Sequence, residues 1–393
     1  MINPYAGVSF GSESRINSVS HQHLSHESQS AAQNVFDKLY LSGIRHFPVV
    51  QYRPSILSPY DYAADTLRYT LKPIPSNASI STIKTNYQAV VTGHADVIGG
   101  PNAEHIYSYL YFNGAWNMWS SVHMNGIGSL YESGLQRVND SFEHSGTLCP
   151  YSEAIQKILD DLKYPNGGGV IINHPKWTMD NTHVPFDMQR FIMDCLDYDP
   201  RVLGTDIIEG GSQANMSQAS QMIDGILSTG RRCWLFCQDD WLTTSKIAPR
   251  GRNELLIPSG LSREQQEQAC FKAYRDGAFF GRYANSDLAI TSVGYSSGRF
   301  TMTTENADGI KVTVDGNTTD YSGNSVSVAV PSSAVYVRAM AYKNRDEDPD
   351  WAYKDSDVYK DVVFTNPIMI NEKQYRYNPA YDLKKRSRIW LLG

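Results

Sequence analysis

Apolar and polar positions alternate with two different periods along the first 285 residues. Short apolar runs, such as 44–52 and 169–173, have the pattern of buried strands, and segments with an apolar position every three or four residues, such as 151–162, predict helices. The predicted strands are 16–23, 44–52, 87–97, 105–112, 169–173, 204–209 and 232–237, and the predicted helices are 30–42, 151–162, 185–196, 217–228 and 262–276. This alternation favours an α/β barrel or a doubly wound sheet, and its first unit predicts two parallel strands joined by a helix.

The pattern changes after residue 283. Five β-rich runs follow at 288–293, 299–304, 310–314, 325–330 and 335–342, separated by turn residues, and no helical period interrupts them. This spacing predicts a small all-β sandwich. We therefore expect a barrel domain over 1–285, a β-sandwich domain over 286–371 and a C-terminal tail over 372–393.

Composition narrows the class of protein. The 35 Lys and Arg residues against 41 Asp and Glu residues give a net charge of −6, which disfavours nucleic-acid and anionic-membrane partners. Neither a signal peptide nor an apolar run long enough to span a membrane is visible. The five cysteines lack a C-x-x-C pair and predict buried free thiols, which favours a cytoplasmic location, whereas the 25 tyrosines favour an extracellular or particle-associated one.

A histidine pair lies at the end of the first predicted strand. In His21-Gln22-His23, residues i and i+2 of a strand point to the same side, so the two imidazoles converge. The carboxyl ends of strands are where α/β barrels place their sites. The sequence therefore predicts a pair of metal ligands here.

Other nitrogen and oxygen donors lie near the ends of later predicted strands. Each would need its own partner if it were buried, whereas one shared cation satisfies several of them. The candidate ligands, in addition to His21 and His23, are His94, Asp96, Glu104, His105, His174, Glu209 and Asp239. Mixed imidazole and carboxylate ligands suit divalent Zn, Mn or Fe, and we expect one or two ions.

The order H-x-H, His, N-H-P, Glu and Asp resembles the polymerase and histidinol phosphatase (PHP) superfamily, and most closely its CehA/McbA-like branch. The resemblance continues through Arg250-Gly251-Arg252-Asn253, residues 273–281 and Thr365-Asn366-Pro367-Ile368, and covers about residues 16–370. It implies a distorted seven-stranded (β/α) barrel with a di- or trinuclear metal site that hydrolyses phosphate esters.

Several positions differ from the pattern of that superfamily. Val50-Gln51-Tyr52 stands where members have Thr-Asp-His, Asp239-Asp240-Trp241 stands where they have Asp-x-His, and Ala95 stands where a glutamate is expected. His94, Asp96 or Glu104 would then substitute for that glutamate. The resemblance implies one ion at His21, His23 and Asp239 and a second near His105 and His174, bridged by Asp96 or Glu104.

These residues lead to one main hypothesis and two alternatives. The main hypothesis is a metal-dependent phosphoesterase acting on a small-molecule phosphate ester, with Arg53, Arg250 or Arg252 binding the substrate phosphate. One alternative is a degenerate, inactive barrel that serves as a binding or structural module, as Gln51, Tyr52 and Trp241 suggest. The other is a metal-dependent hydrolase of a non-phosphate ester. The sequence leaves the oligomeric state open.

Overall fold

A computed structural model describes residues 1–23, 29–48, 94–102, 104–111, 118–130, 151–175, 187–208, 216–241, 251–283, 287–343 and 361–377. The helices in these ranges are α1 (Gln29–Leu41), α2 (Tyr151–Asp160), α3 (Met188–Tyr198), α4 (Met216–Ser228) and α5 (Arg263–Asp276), with a 3-10 turn at Ser12–Ser14. Each predicted helix has its counterpart among these. None of the described helices has the length and apolar character that a membrane span requires.

The strands within the described ranges fall into four sheets. Those before residue 285 are β1 (Arg15–Ser18), β2 (Gln22–His23), β3 (His46–Phe47), β4 (Ile98–Gly99), β5 (Glu104–Tyr111), β6 (Met118–Ile127), β7 (Gly169–Asn173), β8 (Val202–Ile208), β9 (Trp234–Cys237), β10 (Asp240–Trp241), β11 (Gly251–Leu256) and β12 (Phe279–Tyr283). Those after it are β13 (Ala289–Ser296), β14 (Arg299–Glu305), β15 (Gly309–Val314), β16 (Asn317–Ser322), β17 (Ser325–Ala329), β18 (Tyr336–Lys343), β19 (Asp361–Thr365) and β20 (Ile368–Met369).

The predicted seven-stranded barrel is wrong for the described residues. Strands β5-β6-β7-β8-β9 form one sheet, and a separate ten-stranded sheet has the order β16-β15-β18-β19-β12-β11-β1-β3-β4, with β20 beside β18. No ring of helices around a closed barrel is present in the described part of the chain. Among the described strands, the parallel pairs are β1–β3, β3–β4, β7–β8, β8–β9 and β2–β10. The predicted parallel unit around α1 is confirmed by the first of these pairs.

The separate β-sandwich after residue 285 is also a wrong expectation. The large sheet that contains β1 and β3 also includes β15, β16, β18 and β19. Of the described strands after residue 285, three form a separate sheet, namely β13, β14 and β17. That three-stranded sheet packs on the large one through a shared core, which includes Phe280, Phe300, Val337 and Val363. The domain boundary at residue 285 stays a prediction.

Two further cores cover the faces of the five-stranded sheet. On one face, Ile172 and Leu235 pack with Phe191 of α3 and Ile223 of α4. The other core contains Ile171, Phe236, Leu255 of β11 and Tyr274 of α5. Because the strands of this sheet are buried on both faces, they read as continuous apolar runs, which is why β7, β8 and β9 were visible in the sequence.

Helix α5 has the clearest local signals in the chain. Ser262 and Gln265 form a reciprocal capping box at its start. Gly277 ends the helix with φ +73°, a left-handed conformation that favours glycine, and a Cβ atom there would lie 2.6 Å from the Trp234 ring. The glycine therefore both ends the helix and lets it pack closely against β9.

Asparagine side chains connect the two large sheets at the open edge of β9. The Cys237 N–H donates to Asn253 Oδ1 and Asn253 Nδ2 donates to Cys237 O, both at 3.1 Å, as a neighbouring strand would. Leu235 N–H donates to Asn366 Oδ1 at 2.7 Å, and Asn366 Nδ2 donates to Gly277 O at 2.9 Å. Asparagine side chains thus make the hydrogen bonds that the main chain of a neighbouring strand would make to β9. We call the two residues, Asn253 and Asn366, the asparagine seam.

The seam predicts a large stability effect at Asn366, which is buried. Asn366→Ala would leave the buried Leu235 N–H without its partner and remove one of the two donors to Gly277 O, and we expect it to lower the free energy of unfolding by about 1–3 kcal/mol. Urea unfolding followed by circular dichroism measures this. Asn317→Ala, at an exposed position, is the control and should change stability by less than about 0.5 kcal/mol. Equal effects of the two changes would refute the seam.

Candidate metal centre

Histidine and carboxylate side chains from well-separated parts of the chain meet in one cluster. His21 lies between β1 and β2, Glu104 begins β5, His123 lies on β6, His174 directly follows β7, and Asp240 begins β10. These residues form two overlapping groups of donor atoms. One group is His21, His174 and Asp240, and the other is Glu104, His123 and His174. Within each group, all the donor atoms lie within 4.8 Å of one another. We call these five residues the donor cluster. They can hold a metal ion.

Strand pairing explains how these residues come together. Strand β2 runs parallel to β10 with Gln22 opposite Asp240, which brings His21 next to Asp240. Glu104 lies opposite Asn125 on β6, so His123, two residues away on the same face, reaches it diagonally. His123 in turn lies opposite Asn173, the residue before His174.

The distances within the donor cluster match ligand spacings around a small cation. Asp240 Oδ1 lies 2.9 Å from His21 Nε2 and 3.7 Å from His174 Nε2. Glu104 Oε1 lies 3.7 Å from His21 Nε2 and 3.8 Å from His174 Nε2. Ligands about 2.0–2.1 Å from a tetrahedral zinc ion lie roughly 3.3 Å from one another. Only small side-chain movements would therefore be needed to bind an ion.

The donor cluster is buried on one side and open on the other. The side chains of His21 and Glu104 are 0% exposed and that of His174 is 5% exposed. Asp240 is 26% and His123 12% exposed, so solvent or a ligand reaches the cluster from their side. Such access distinguishes a site that can react from a purely structural one.

The backbone is unusual at two residues of the cluster. His174 has φ +52° and Asp240 has φ +57°, both in the left-handed region that residues with a side chain seldom adopt. Conformations of this kind cost about 1–3 kcal/mol and cluster at functional sites and in turns; the other three non-glycine examples among the described residues, Ser297, Asn306 and Asp315, lie in turns between strands. Because both meet at one point, they support a functional role for the cluster.

Hydrogen bonds behind the imidazoles orient them. His21 Nδ1 lies 3.1 Å from Asn125 Oδ1 and 2.9 Å from Asn173 Nδ2. With a proton on Nδ1, that nitrogen donates to Asn125 and the lone pair on Nε2 can bind an ion. With the proton on Nε2 instead, Nδ1 accepts from Asn173 and Nε2 donates to Asp240. Ser20, the residue before His21, donates to Gln238 Oε1 at 3.1 Å and accepts from Asn253 Nδ2 at 2.8 Å.

The structure brings together three of the predicted ligands, namely His21, Glu104 and His174. For His23 on β2 and His105 on β5 it describes the backbone alone. Glu209 and Arg53 lie outside the described residues, as do Arg250 and the Gln51-Tyr52 pair. Their predicted roles stay predictions.

His94 and Asp96 belong to neither donor group, and both have partners near α1. The His94 ring lies 4.4 Å from that of Tyr40, and Asp96 Oδ2 pairs with Arg45 Nε at 2.9 Å. Tyr40 and Arg45 together hold the pKa of the Asp96 carboxyl below its usual range, against the opposing effect of desolvation. Of the two candidates for the bridging carboxylate, Glu104 is the one in the donor cluster.

The donor cluster contains Asp240 and not the predicted ligand Asp239. Asp239 is buried, but Asp240 supplies the oxygen near His21 and His174. The Asp239 charge acts on two other groups. Burial first, and Asp239 second, raise the pKa of the Cys237 thiol, and Asp239 also counteracts the lowering of the Arg252 pKa.

Arg252 lies on β11 directly before Asn253, and consecutive side chains of a strand point to opposite faces. Asn253 reaches Ser20 beside the donor cluster, so Arg252 occupies the other face, opposite Arg282. Burial, with repulsion from Arg282, lowers the Arg252 pKa to about 10. The structure thus does not bring Arg252 into the cluster.

Sequence reasoning missed His123 and Asp240. The motif order favours the adjacent Asp239 over Asp240, because strand alternation cannot anticipate a left-handed residue. His123 had a usable signal, since it stands two residues from Asn125 and both point to one face of β6. Cys195, Cys233, Cys237 and Cys270 are buried and free, which confirms that prediction for them, whereas Cys149 lies outside the described residues.

Comparisons of this chain with protein-family models, curated proteins and solved structures give no match. The family resemblance therefore stays a prediction from the motifs.

His46 is buried against the Phe271 and Tyr274 rings, and its burial gives a pH prediction. Burial lowers its pKa from 6.5 to about 3 in the folded protein. The unfolded chain takes up a proton near pH 6.5, whereas folded His46 stays neutral down to about pH 3. Its contribution to stability is therefore complete above pH 6.5 and is lost as the pH falls towards 3, by at most about 1.4 kcal/mol per pH unit.

Urea unfolding between pH 7 and 4 measures this loss, and His46→Asn should show a shallower fall than the unmodified protein. Ser18→Ala is the control, because it removes the hydroxyl 2.7 Å from His46 Nδ1 and keeps the titrating group. Its slope should stay that of the unmodified protein. Identical slopes for His46→Asn and the unmodified protein would contradict the assignment.

Proposed function

We propose that this protein is a metal-dependent hydrolase that cleaves a phosphate ester bound at the donor cluster. The observation that carries the proposal is the convergence of imidazole and carboxylate donors from five separate segments of the chain. This mixed donor set suits Zn, Mn or Fe.

Charge balance supports a divalent ion. Glu104 and Asp240 bring two carboxylates to the donor cluster, and the Glu104 side chain is fully buried. A buried carboxylate is unfavourable unless an opposite charge compensates it. One divalent cation balances both carboxylates while the imidazoles stay neutral, which is the form in which they bind metals.

The arrangement favours one ion over two. His174 is common to both donor groups, and its Nδ1 faces Asp206, so it offers Nε2 alone. His123 Nδ1 lies 2.5 Å from Glu104 Oε1, which is closer than two ligands of one ion lie to each other, so a proton between the two atoms fits better than a shared ion. We therefore assign His21, Glu104, His174 and Asp240 as ligands of a single ion, and His123 as the residue that holds a proton against Glu104.

When bound, a divalent ion at this position would polarise the ester oxygen and lower the pKa of an adjacent water molecule. The chain supplies the rest. Asp240 and His123 border the open side, where a substrate would enter. There His123, when doubly protonated, would donate a ring proton to the leaving oxygen and become neutral. The choice of a phosphate ester rests on the order of the H-x-H, N-H-P and Asp motifs.

Metal analysis tests this proposal first. Protein purified without chelators and then incubated with Zn²⁺ or Mn²⁺ should retain about one equivalent of metal per chain after gel filtration, as measured by plasma mass spectrometry. His21→Ala and His174→Ala should each lose most of it. His94→Ala is the matched control, because His94 lies against Tyr40 and in neither donor group, and should bind as the unmodified protein does.

Activity is then measured on the metal-loaded protein with a phosphate monoester, a phosphate diester and a carboxylic ester of p-nitrophenol. We expect phosphate ester hydrolysis that falls at least 100-fold in His174→Ala and is unchanged in His94→Ala. Metal retention without any hydrolysis would favour a binding module, and cleavage of the carboxylic ester alone would favour a non-phosphate esterase. Protein that retains no metal would refute the proposal.

A further inference from the structure

A buried carboxylate lies directly behind His174. Asp206 Oδ1 accepts from the His174 backbone N–H at 2.8 Å, and its Oδ2 lies 3.2 Å from His174 Nδ1. The Asp206 side chain is 0% exposed and that of His174 is 5% exposed, so water does not compete for these bonds. The two oxygens therefore hold both the backbone and the ring of one residue.

Strand geometry aims Asp206 at this position. It lies on β8, where the register with β9 shifts between Asp206 and Ile208, as at a β-bulge. Bulges re-aim side chains and are common next to functional sites. Thr205 anchors the neighbouring strand by donating to Ile172 O at 2.6 Å, one residue before Asn173. The irregularity thus places a carboxylate at the end of β7.

The contact determines where His174 carries its proton. A carboxylate oxygen only accepts, so the ring nitrogen facing it must be protonated, and Nε2 is left with a lone pair. That nitrogen is the one directed at Glu104 and Asp240. His21 is arranged differently, because its Nδ1 lies between an amide oxygen and an amide NH₂ and its carboxylate partner, Asp240, faces Nε2 at 2.9 Å.

We propose that Asp206 is a positioning residue that fixes His174 as the Nδ1-protonated tautomer and holds its left-handed backbone, so that Nε2 is permanently available to an ion. A carboxylate behind a metal-binding histidine raises the basicity of the ligand and fixes the ring, and its loss typically costs 10–100-fold in metal affinity. The role in metal affinity rests on the proposed function, whereas the tautomer does not.

Nitrogen NMR of ¹⁵N-histidine-labelled, metal-free protein near pH 8 tests the tautomer directly. The His174 signals, assigned by their loss in His174→Gln, should show a proton on Nδ1 and none on Nε2. In Asp206→Asn, the introduced NH₂ can donate to Nδ1, and the proton should move to Nε2. Asp197→Asn is the matched control, because it neutralises a different carboxylate, paired with Arg231 at 2.7 Å, and should leave the His174 signals unchanged.

Titration with Zn²⁺ supplies the second readout. Asp206→Asn should bind 10–100-fold more weakly than the unmodified protein, and Asp197→Asn should bind equally well. A His174 proton on Nε2 in the unmodified protein, or an unchanged tautomer in Asp206→Asn, would overturn the inference whether or not metal binds. The expected tautomers without any zinc binding would instead refute the proposed function and leave the positioning role intact.

Discussion

The hydrogen bonds of Asn253 hold three separate segments of this structure together. Its amide pairs with both main-chain groups of Cys237 and also donates to Ser20 Oγ, so one side chain links β9, β11 and the segment that carries His21. A buried amide with three partners is strongly directional, because each lost bond leaves a polar group unsatisfied. The seam thereby sets the distance between the two large sheets and the position of the first histidine.

The motifs that carried the family resemblance have structural roles here. Arg250-Gly251-Arg252-Asn253 contributes Asn253 to the seam, and Thr365-Asn366-Pro367-Ile368 contributes Asn366. Local patterns predicted the helices and most strands, since those depend on apolar periodicity within one segment. The barrel was wrong because sheet membership depends on partners far apart in the chain, and β11 and β12 pair antiparallel on either side of α5.

The sequence predicted those ligands that lie at the ends of strands. It did not predict the ones whose place in the cluster depends on the direction of the side chain. His21, Glu104 and His174 follow from the strand pattern, because their segments meet at one end of the fold. His94 and Asp96 occupy an equally plausible position in sequence but have partners near α1. The bulge that turns Asp206 towards His174 has no signature in the sequence, since it arises from the pairing of β8 with β9.

The left-handed backbones at His174 and Asp240 bear on how this protein responds to engineering. Glycine adopts that conformation without strain, so glycine would relieve the backbone strain at either position, although His174→Gly would also leave the buried Asp206 carboxylate without its imidazole partner. Each such gain would delete a donor of the cluster. Relief of backbone strain and retention of the metal-binding donors are therefore opposed at these two residues. A stabilised variant that keeps full activity has to gain its stability elsewhere in the chain.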